Sequence, residues 1–449
     1  MGSEWLDITL GEFLNLKRGY DLPKSKRNSG NIPIISSSGF SGNHDKPMVY
    51  GPGVVTGRYG TIGEVFYVNE SYWPLNTTLY VDDFKGNSPL FCYYLLQTIN
   101  FRAYSDKAAV PGINRNHIHM ANIRVPKSVV TQDNIAVVLK KLEDKITNNL
   151  EINKTLEQIT QALFNSWFVD FEPVKAKIAV LEAGGSQEEA TLAAMTAISG
   201  KDADSLAIFE REHPEQYTEL KATAELFPSA MQESELGETP EGWNVCNIKS
   251  SVTELRRGIS PKYTEETDGV TVINQKCIRN HTINFSLARL HDSKKRTISG
   301  RELQVGDVLV NSTGTGTLGR LAPIRYLAET VIADSHVTVV RADTAKITAS
   351  YLSGLLMKYE QFIESNGSGS TGQTELRKEV LEEIYFPCPP LILGQLFDKF
   401  TNRLNAKLSL LEQQITVLSQ LRDTLLPKLL SGEITLPESE QAVSEAENV

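Results

Sequence analysis

From Gln132 to about Phe168 the apolar residues fall at Ile135, Val138, Leu142, Ile152, Leu156, Ile159 and Leu163, stepping by three and four through polar Lys145 and Asn149. A narrow stripe kept over four heptads predicts a coiled-coil seam, in which polar residues fix register at some cost in stability. The pattern recurs at Phe397, Phe400, Leu404, Leu411, Leu418, Leu421 and Leu425, interrupted at Lys407 and Gln414. A shift of 262 positions carries Leu142 to Leu404, Lys145 to Lys407, Leu156 to Leu418, Gln158 to Gln420 and Leu163 to Leu425. A Lys therefore stands at an inward-looking heptad position both times. Roughly 30 residues at 1.5 Å each make a helix of about 45 Å, too long for the interior of a small domain. The two helices are expected to pack on each other.

The segments before the helices repeat as well. Each opens with Trp and a basic turn, Leu16-Lys17-Arg18-Gly19 and then Leu255-Arg256-Arg257-Gly258. Each continues through a Gly-rich turn, Gly60-Thr61-Ile62-Gly63 and Gly316-Thr317-Leu318-Gly319, and closes on a short apolar strand ending in Pro126 or Pro387. Short β-favouring runs such as Ile32 to Ile35, Val54 to Thr56, Thr77 to Val81, Gly306 to Val310 and Val337 to Val340 are separated by turn residues. One helical stretch interrupts each set, Ser88 to Asn100 and Ser350 to Glu364. A repeat of this length is a duplicated domain. The fold class is α+β: two similar domains, each followed by a long helix, with the two helices packed as an antiparallel coiled coil.

These landmarks divide the chain into a first domain 1–130, a long helical region 131–180, an acidic insert or linker 181–242, a second domain 243–390, a second long helical region 391–434 and an acidic tail 435–449. Within the insert, Gly184-Gly185-Ser186 reads as a linker, and Ala190 to Ile198 and Ala203 to Arg211 read as helices. The tail from Thr435 is expected to fray.

A net charge of −10 argues at first against a nucleic-acid partner, because phosphate binding needs clustered Lys and Arg. Its distribution reverses that reading. Residues 181–242 hold 14 acidic and 3 basic side chains and residues 433–449 hold 5 acidic and none basic, which leaves +6 on the repeated parts. A local basic face governs a local partner. No run of about 18 apolar residues and no leader pattern occurs, so a cytoplasmic, non-membrane location is expected. Four dispersed cysteines, Cys92, Cys246, Cys277 and Cys388, indicate neither a disulfide framework nor a zinc site.

Catalytic motifs are weakly matched. Gly314-Thr315-Gly316-Thr317-Leu318-Gly319 fits G-x-G-x-x-G, but a dinucleotide turn must open a helix, and Pro323 refuses one. Pro387-Cys388-Pro389-Pro390 is like the nucleophile turn of cytosine methyltransferases, yet no cofactor loop accompanies it and the first copy has no Cys there. His117 and His119 lack further metal ligands nearby. Neither a catalytic nor a metal site is expected.

Two copies related by a twofold rotation would run their helices antiparallel and hold two globular units as a caliper. Duplex DNA offers two reading sites at a fixed spacing. The chain resembles the specificity subunit of type I restriction-modification systems over nearly its whole length. The resemblance rests on Phe164-Asn165-Ser166-Trp167-Phe168-Val169-Asp170-Phe171-Glu172-Pro173-Val174-Lys175-Ala176-Lys177, on Ser234-Glu235-Leu236-Gly237-Glu238-Thr239-Pro240-Glu241-Gly242-Trp243, and on Leu425-Leu426-Pro427-Lys428-Leu429-Leu430-Ser431-Gly432-Glu433-Ile434. It implies two target-recognition domains on double-stranded DNA, two methyltransferase subunits and two endonuclease/translocase subunits. It also implies no cofactor in this chain, with S-adenosylmethionine, ATP and Mg on the partners. A stand-alone bipartite DNA-binding regulator is the alternative.

The candidate DNA contacts in the first copy are Lys17, Arg18, Lys24, Lys26, Arg27, Arg58, Tyr59 and Arg115. In the second they are Arg256, Arg257, Lys262, Lys294, Lys295, Arg296, Thr313, Thr315, Ser370, Thr371, Gln373 and Thr374. Arg and Gln can read base edges, whereas Lys runs mostly position phosphates. Arg18 and Arg257 are expected at the DNA surface rather than in structural ion pairs, each followed by a Gly that would permit close backbone approach to a phosphate.

Overall fold

The computed structural model describes residues 5–104, 112–314, 316–367 and 375–447. The chain divides into two compact units, one made of Met1–Thr147 with Val417–Val449 and the other of Asn148–Thr416.

In the first unit, Trp5–Thr9 pairs antiparallel with Asn122–Pro126, so the segment's entry and exit are stitched together. Between them lies an antiparallel sheet in the spatial order Asn15–Arg18, Thr78–Asp83, Gly53–Gly57, Val65–Val68. A smaller sheet sets Ile32–Ser36 antiparallel to Gly39–His44 and parallel to Trp73–Pro74. Pro89–Thr98 forms a helix capped by Ser88, whose hydroxyl accepts from the Phe91 N–H. The long helix Val129–Phe168 starts in this unit and is fixed to the domain by buried Gln132. The Gln132 carboxamide accepts from Ser88 N at 3.0 Å and donates to Pro126 O and Asn87 Oδ1, both at 2.9 Å. About three turns further along the same helix face, Tyr94 donates to Glu143 at 2.9 Å.

The second unit repeats the frame. Asn244–Asn247 pairs antiparallel with Tyr385–Cys388. The larger sheet runs Val252–Arg257, Val337–Ala342, Val308–Asn311, Leu321–Pro323, the same order in space as in the first unit. Val270–Ile273 runs antiparallel to Arg289–His291 and parallel to Val331–Ala333. The helix Ala349–Lys358 is capped by Thr348, and that hydroxyl donates to Asp398 of the long helix Leu391–Ser431 at 3.0 Å.

Within this unit the long helices run antiparallel: Asn149 donates to Gln414 at 3.3 Å, and some four turns away the rings of Phe164 and Phe397 sit 6.1 Å apart. The buried stripe departs from the sequence pattern, however. Ile135, Val138, Leu142 and polar Asn149 are buried as expected, but Ile146, Asn153 and Glu157, each one residue on, take the places of Lys145, Ile152 and Leu156. Ile159 and Phe400 are largely exposed, and Lys407 points outward while Leu408 is buried.

The insert is not a loose linker. Gly184 turns the chain at φ +83, and Ser186 caps the helix Gln187–Ser199 through a capping box with Glu189. Helices Ala203–Glu212 and Pro214–Leu226 follow, the last unforeseen in the sequence. Ala194, Met195, Ile198, Leu206, Leu220 and Phe227 join one core with Trp167, Phe168 and Trp243. Buried Lys177 donates to Ala224 O at 3.1 Å and Phe227 O at 2.6 Å, closing the carbonyl end of the last insert helix. The tail also forms a helix, Leu436–Glu447, where fraying was expected, and at its start the Thr435 N–H and hydroxyl both donate to the Glu438 carboxylate, at 2.8 and 2.7 Å.

Candidate DNA-reading ends of the two sheets

In each unit the basic turn, the Gly-rich turn and the last loop converge at one end of the larger sheet. In the first, Gly19 N donates to Thr78 O at 3.1 Å, Tyr20 N to Pro74 O at 2.8 Å, Arg58 N to Thr77 O at 2.8 Å and Ile113 N to Arg58 O at 3.1 Å. In the second, Gly258 N donates to Val337 O at 2.9 Å, Ile259 N to Ala333 O at 3.0 Å, Ser312 N to His336 O at 2.8 Å and Leu376 N to Ser312 O at 2.8 Å. Isolated bridges complete the match, Tyr59 with Gly112 and Thr313 with Glu375. The same backbone frame is therefore built twice, with Tyr59 and Thr313 at equivalent positions.

That frame corrects the reading of the basic turns. A Cβ at Gly19 would strike the carbonyl oxygens of Pro74 and Leu75, and one at Gly258 those of Ala333 and Asp334. The glycines are required by strand packing rather than by phosphate approach. Arg257, expected free of structural pairing, is ion-paired with Glu375 and donates to Leu376 O at 3.0 Å. Its guanidinium thus ties the sheet end to the last loop. Arg18 differs. It is well exposed and meets Asp21 only at 3.5 Å.

The other candidates sort by partner. Lys17 lies 3.3 Å from Asp82. Arg27 donates to Ser41 O at 2.7 Å, and Arg58 donates to Ile113 O at 3.3 Å while stacking 4.6 Å from the Tyr59 ring centroid. Arg256 is held by Glu254 and Gly300 O. Lys294 and Lys295 each lie 3.1 Å from an acid, Asp268 and Asp292, and Arg296 donates to Ser260 O at 2.9 Å. Lys24, Lys26, Lys262 and Arg115 meet no acid among the described residues; the first two lie on the short turn Lys24–Lys26 and Arg115 opens the helix Arg115–His119. Four of the second unit's six candidate cations, Arg256, Arg257, Lys294 and Lys295, are thus already paired with neighbouring acids. Thr315, Ser370, Thr371, Gln373 and Thr374 lie outside the described residues.

The catalytic-looking motifs resolve into structure. Gly319 N donates to Asn311 O at 2.8 Å to close a tight turn, after which the chain enters strand Leu321–Pro323 and no dinucleotide helix follows. Cys388 ends a strand, and burial first, then neighbouring Cys246, pushes its thiol up to about 12, the reverse of an activated nucleophile. His119 Nε2 accepts from Leu16 N at 2.9 Å, a structural use of that ring.

A buried ion cluster anchors the second domain. Arg325 lies 2.9 Å from Glu157 and 2.6 Å from Glu412. His281, at φ +56, places Nε2 2.7 Å from Glu360 and Nδ1 3.5 Å from Glu157. Those two carboxylates raise its pKa to about 9 against the opposing effect of burial.

Sequence reasoning missed Gln275 and His336 at the second sheet end. Thr313 Oγ1 lies 3.0 Å from Gln275 Oε1 and 2.8 Å from His336 Nδ1. Nothing in composition or spacing marks them, because the parallel pairing of Val270–Ile273 with Val331–Ala333 brings them together.

Sequence comparison agrees with the two-part organisation. The family model for the type I restriction modification DNA specificity domain matches residues 2–158 and 240–420, one block for each frame. The chain is 30% identical over 347 residues to the specificity subunit of the type I restriction enzyme HindI of Haemophilus influenzae, covering 74% of this chain and 73% of that one. It is 23% identical over 354 residues to the MjaIX specificity subunit of Methanocaldococcus jannaschii, covering 78% and 69%. The solved S subunit of a type I system from M. genitalium aligns over 96% of both chains at 15% identity and a TM-score of 0.47. This chain belongs to the family of type I restriction-modification DNA specificity subunits.

Proposed function

We propose that this specificity subunit reads an asymmetric, gapped DNA target, one half-site for each recognition domain, and that its long helices set the gap. It scaffolds two methyltransferase subunits and, in the restricting complex, two ATP-driven endonuclease subunits. One observation carries the two-part reading: the same hydrogen-bonded sheet end occurs twice in the chain with different side chains on it. Identical frames give equivalent approaches to a duplex, and unlike side chains give unlike base preferences. The subunit is the non-catalytic member, so S-adenosylmethionine, ATP and Mg belong to its partners. Host DNA as the target places the work in the cytoplasm, and no helix among the described residues is long and apolar enough to cross a membrane.

Family membership favours this reading over a stand-alone regulator. Affinity purification of the natively expressed chain decides between them. Methyltransferase subunits are expected to co-purify in stoichiometric amount, whereas a chain that emerges alone and still binds a two-part site would be a regulator.

A further inference from the structure

At the second sheet end, Thr313 has one hydroxyl proton and two polar neighbours, Gln275 Oε1 at 3.0 Å and His336 Nδ1 at 2.8 Å. The amide oxygen can only accept, so the threonine donates to it. The hydroxyl must then accept from His336, which puts the imidazole proton on Nδ1. Two groups remain without a partner among the described residues: the Gln275 NH2, a donor, and His336 Nε2, an acceptor. His336 is exposed and Gln275 half-exposed, beside the turn at Gly314.

The backbone hydrogen bonds that build the frame use neither side chain. Leu75 N donates to Ile35 O and Asp334 N to Ile273 O, which makes Ser37 the counterpart of Gln275, as Thr77 is of His336. Positions that share a backbone and differ in side chain between the two units are where a difference between half-sites can be written.

Resting on the DNA-reading function above, we infer that Gln275 and His336 are specificity-determining residues for the second half-site, oriented by Thr313, and that they select adenine. A spare donor and a spare acceptor on two side chains held by one threonine hydroxyl complement adenine in the major groove, where N7 accepts and the N6 amino group donates. They clash with guanine, where N7 and O6 both accept. In the first unit Ser37, whose hydroxyl lies against the turn at Gly60, is the corresponding determinant; the Thr77 hydroxyl is covered.

The test is selection from duplexes randomised over both half-sites, using the full chain with the subunits that co-purify with it. Wild type should enrich a two-part motif, and Gln275→Ser and His336→Thr should each lose about 10- to 100-fold of the preference for one A·T pair in the second half. The first half should stay unchanged. Ser37→Gln, in the other unit, should alter only the first half, and unchanged thermal melting of each variant excludes misfolding as the cause. An unaltered second half in both folded variants, or a shift in the first half instead, overturns the assignment while leaving the DNA-reading function intact. A wild type that enriches no motif removes that function and the assignment with it.

Discussion

Arg325 and Glu157 form a buried ion pair at 2.9 Å between a strand exit of the second recognition domain and the first long helix. The same guanidinium meets Glu412 of the second long helix at 2.6 Å, so one side chain bridges three elements. Removing one partner of a buried pair leaves an uncompensated charge. Arg325→Ala should therefore cost about 3 to 5 kcal/mol of stability in denaturant unfolding. The conservative Arg325→Lys should recover only part of it, because an ammonium cannot hold two carboxylates in a fixed fork.

His281 makes this junction sensitive to pH. Its pKa rises from 6.5 to about 9 in the fold, so the protonated ring is bound more tightly than in the unfolded chain. The stabilisation is complete below about pH 6.5 and fades as pH climbs through about 9, amounting to at most about 3 kcal/mol. Melting of the wild type should fall across that window. His281→Gln should show a flatter profile there, and an equal slope in both would remove His281 as the source.

The two basic turns should now separate. Arg257→Ala should lower the melting temperature, by an amount corresponding to about 1 kcal/mol, because it breaks the tie from the sheet end to Glu375 and Leu376. Arg18→Ala should leave melting unchanged and weaken DNA binding nearly uniformly across sequences, with a shallower salt dependence. Titrations at several salt concentrations, beside thermal melts, check both. Unchanged affinity and slope in Arg18→Ala would leave that arginine a solvated surface charge.

Insertion of four residues near Asn149 lengthens the helix by about 6 Å, close to the rise of two base pairs at about 3.4 Å each. The gap in the recognised motif should grow. An active complex with an unchanged gap would show that the helices do not set the spacing.

How far the sequence spoke depended on whether a residue's environment was local. Ile135, Val138 and Leu142 announced a buried stripe, and that part of the stripe is buried. Asn149, read as a polar seam position, is buried against Gln414, but beyond it hydrophobicity misled, because Glu157 is buried through a partner far along the chain, Arg325. At the sheet ends the paired Lys/Arg-Arg-Gly and Gly-rich turns marked segments that the fold brings together. They could not show that Glu375 would neutralise Arg257, or that Gln275, His336 and Thr313 would meet, since each of those contacts spans a crossover between strands.

The central claim, one half-site per recognition domain in a methylation system, is tested most directly by sequencing that reports modified bases in host DNA, with and without this chain. A strain carrying it should show adenine methylation at one asymmetric, gapped motif that vanishes on deletion. Exchange of residues Trp5 to Pro126 for the matching segment of a relative should change one half of that motif and leave the other. Loss of no motif on deletion, or a change in both halves after the exchange, would contradict the account.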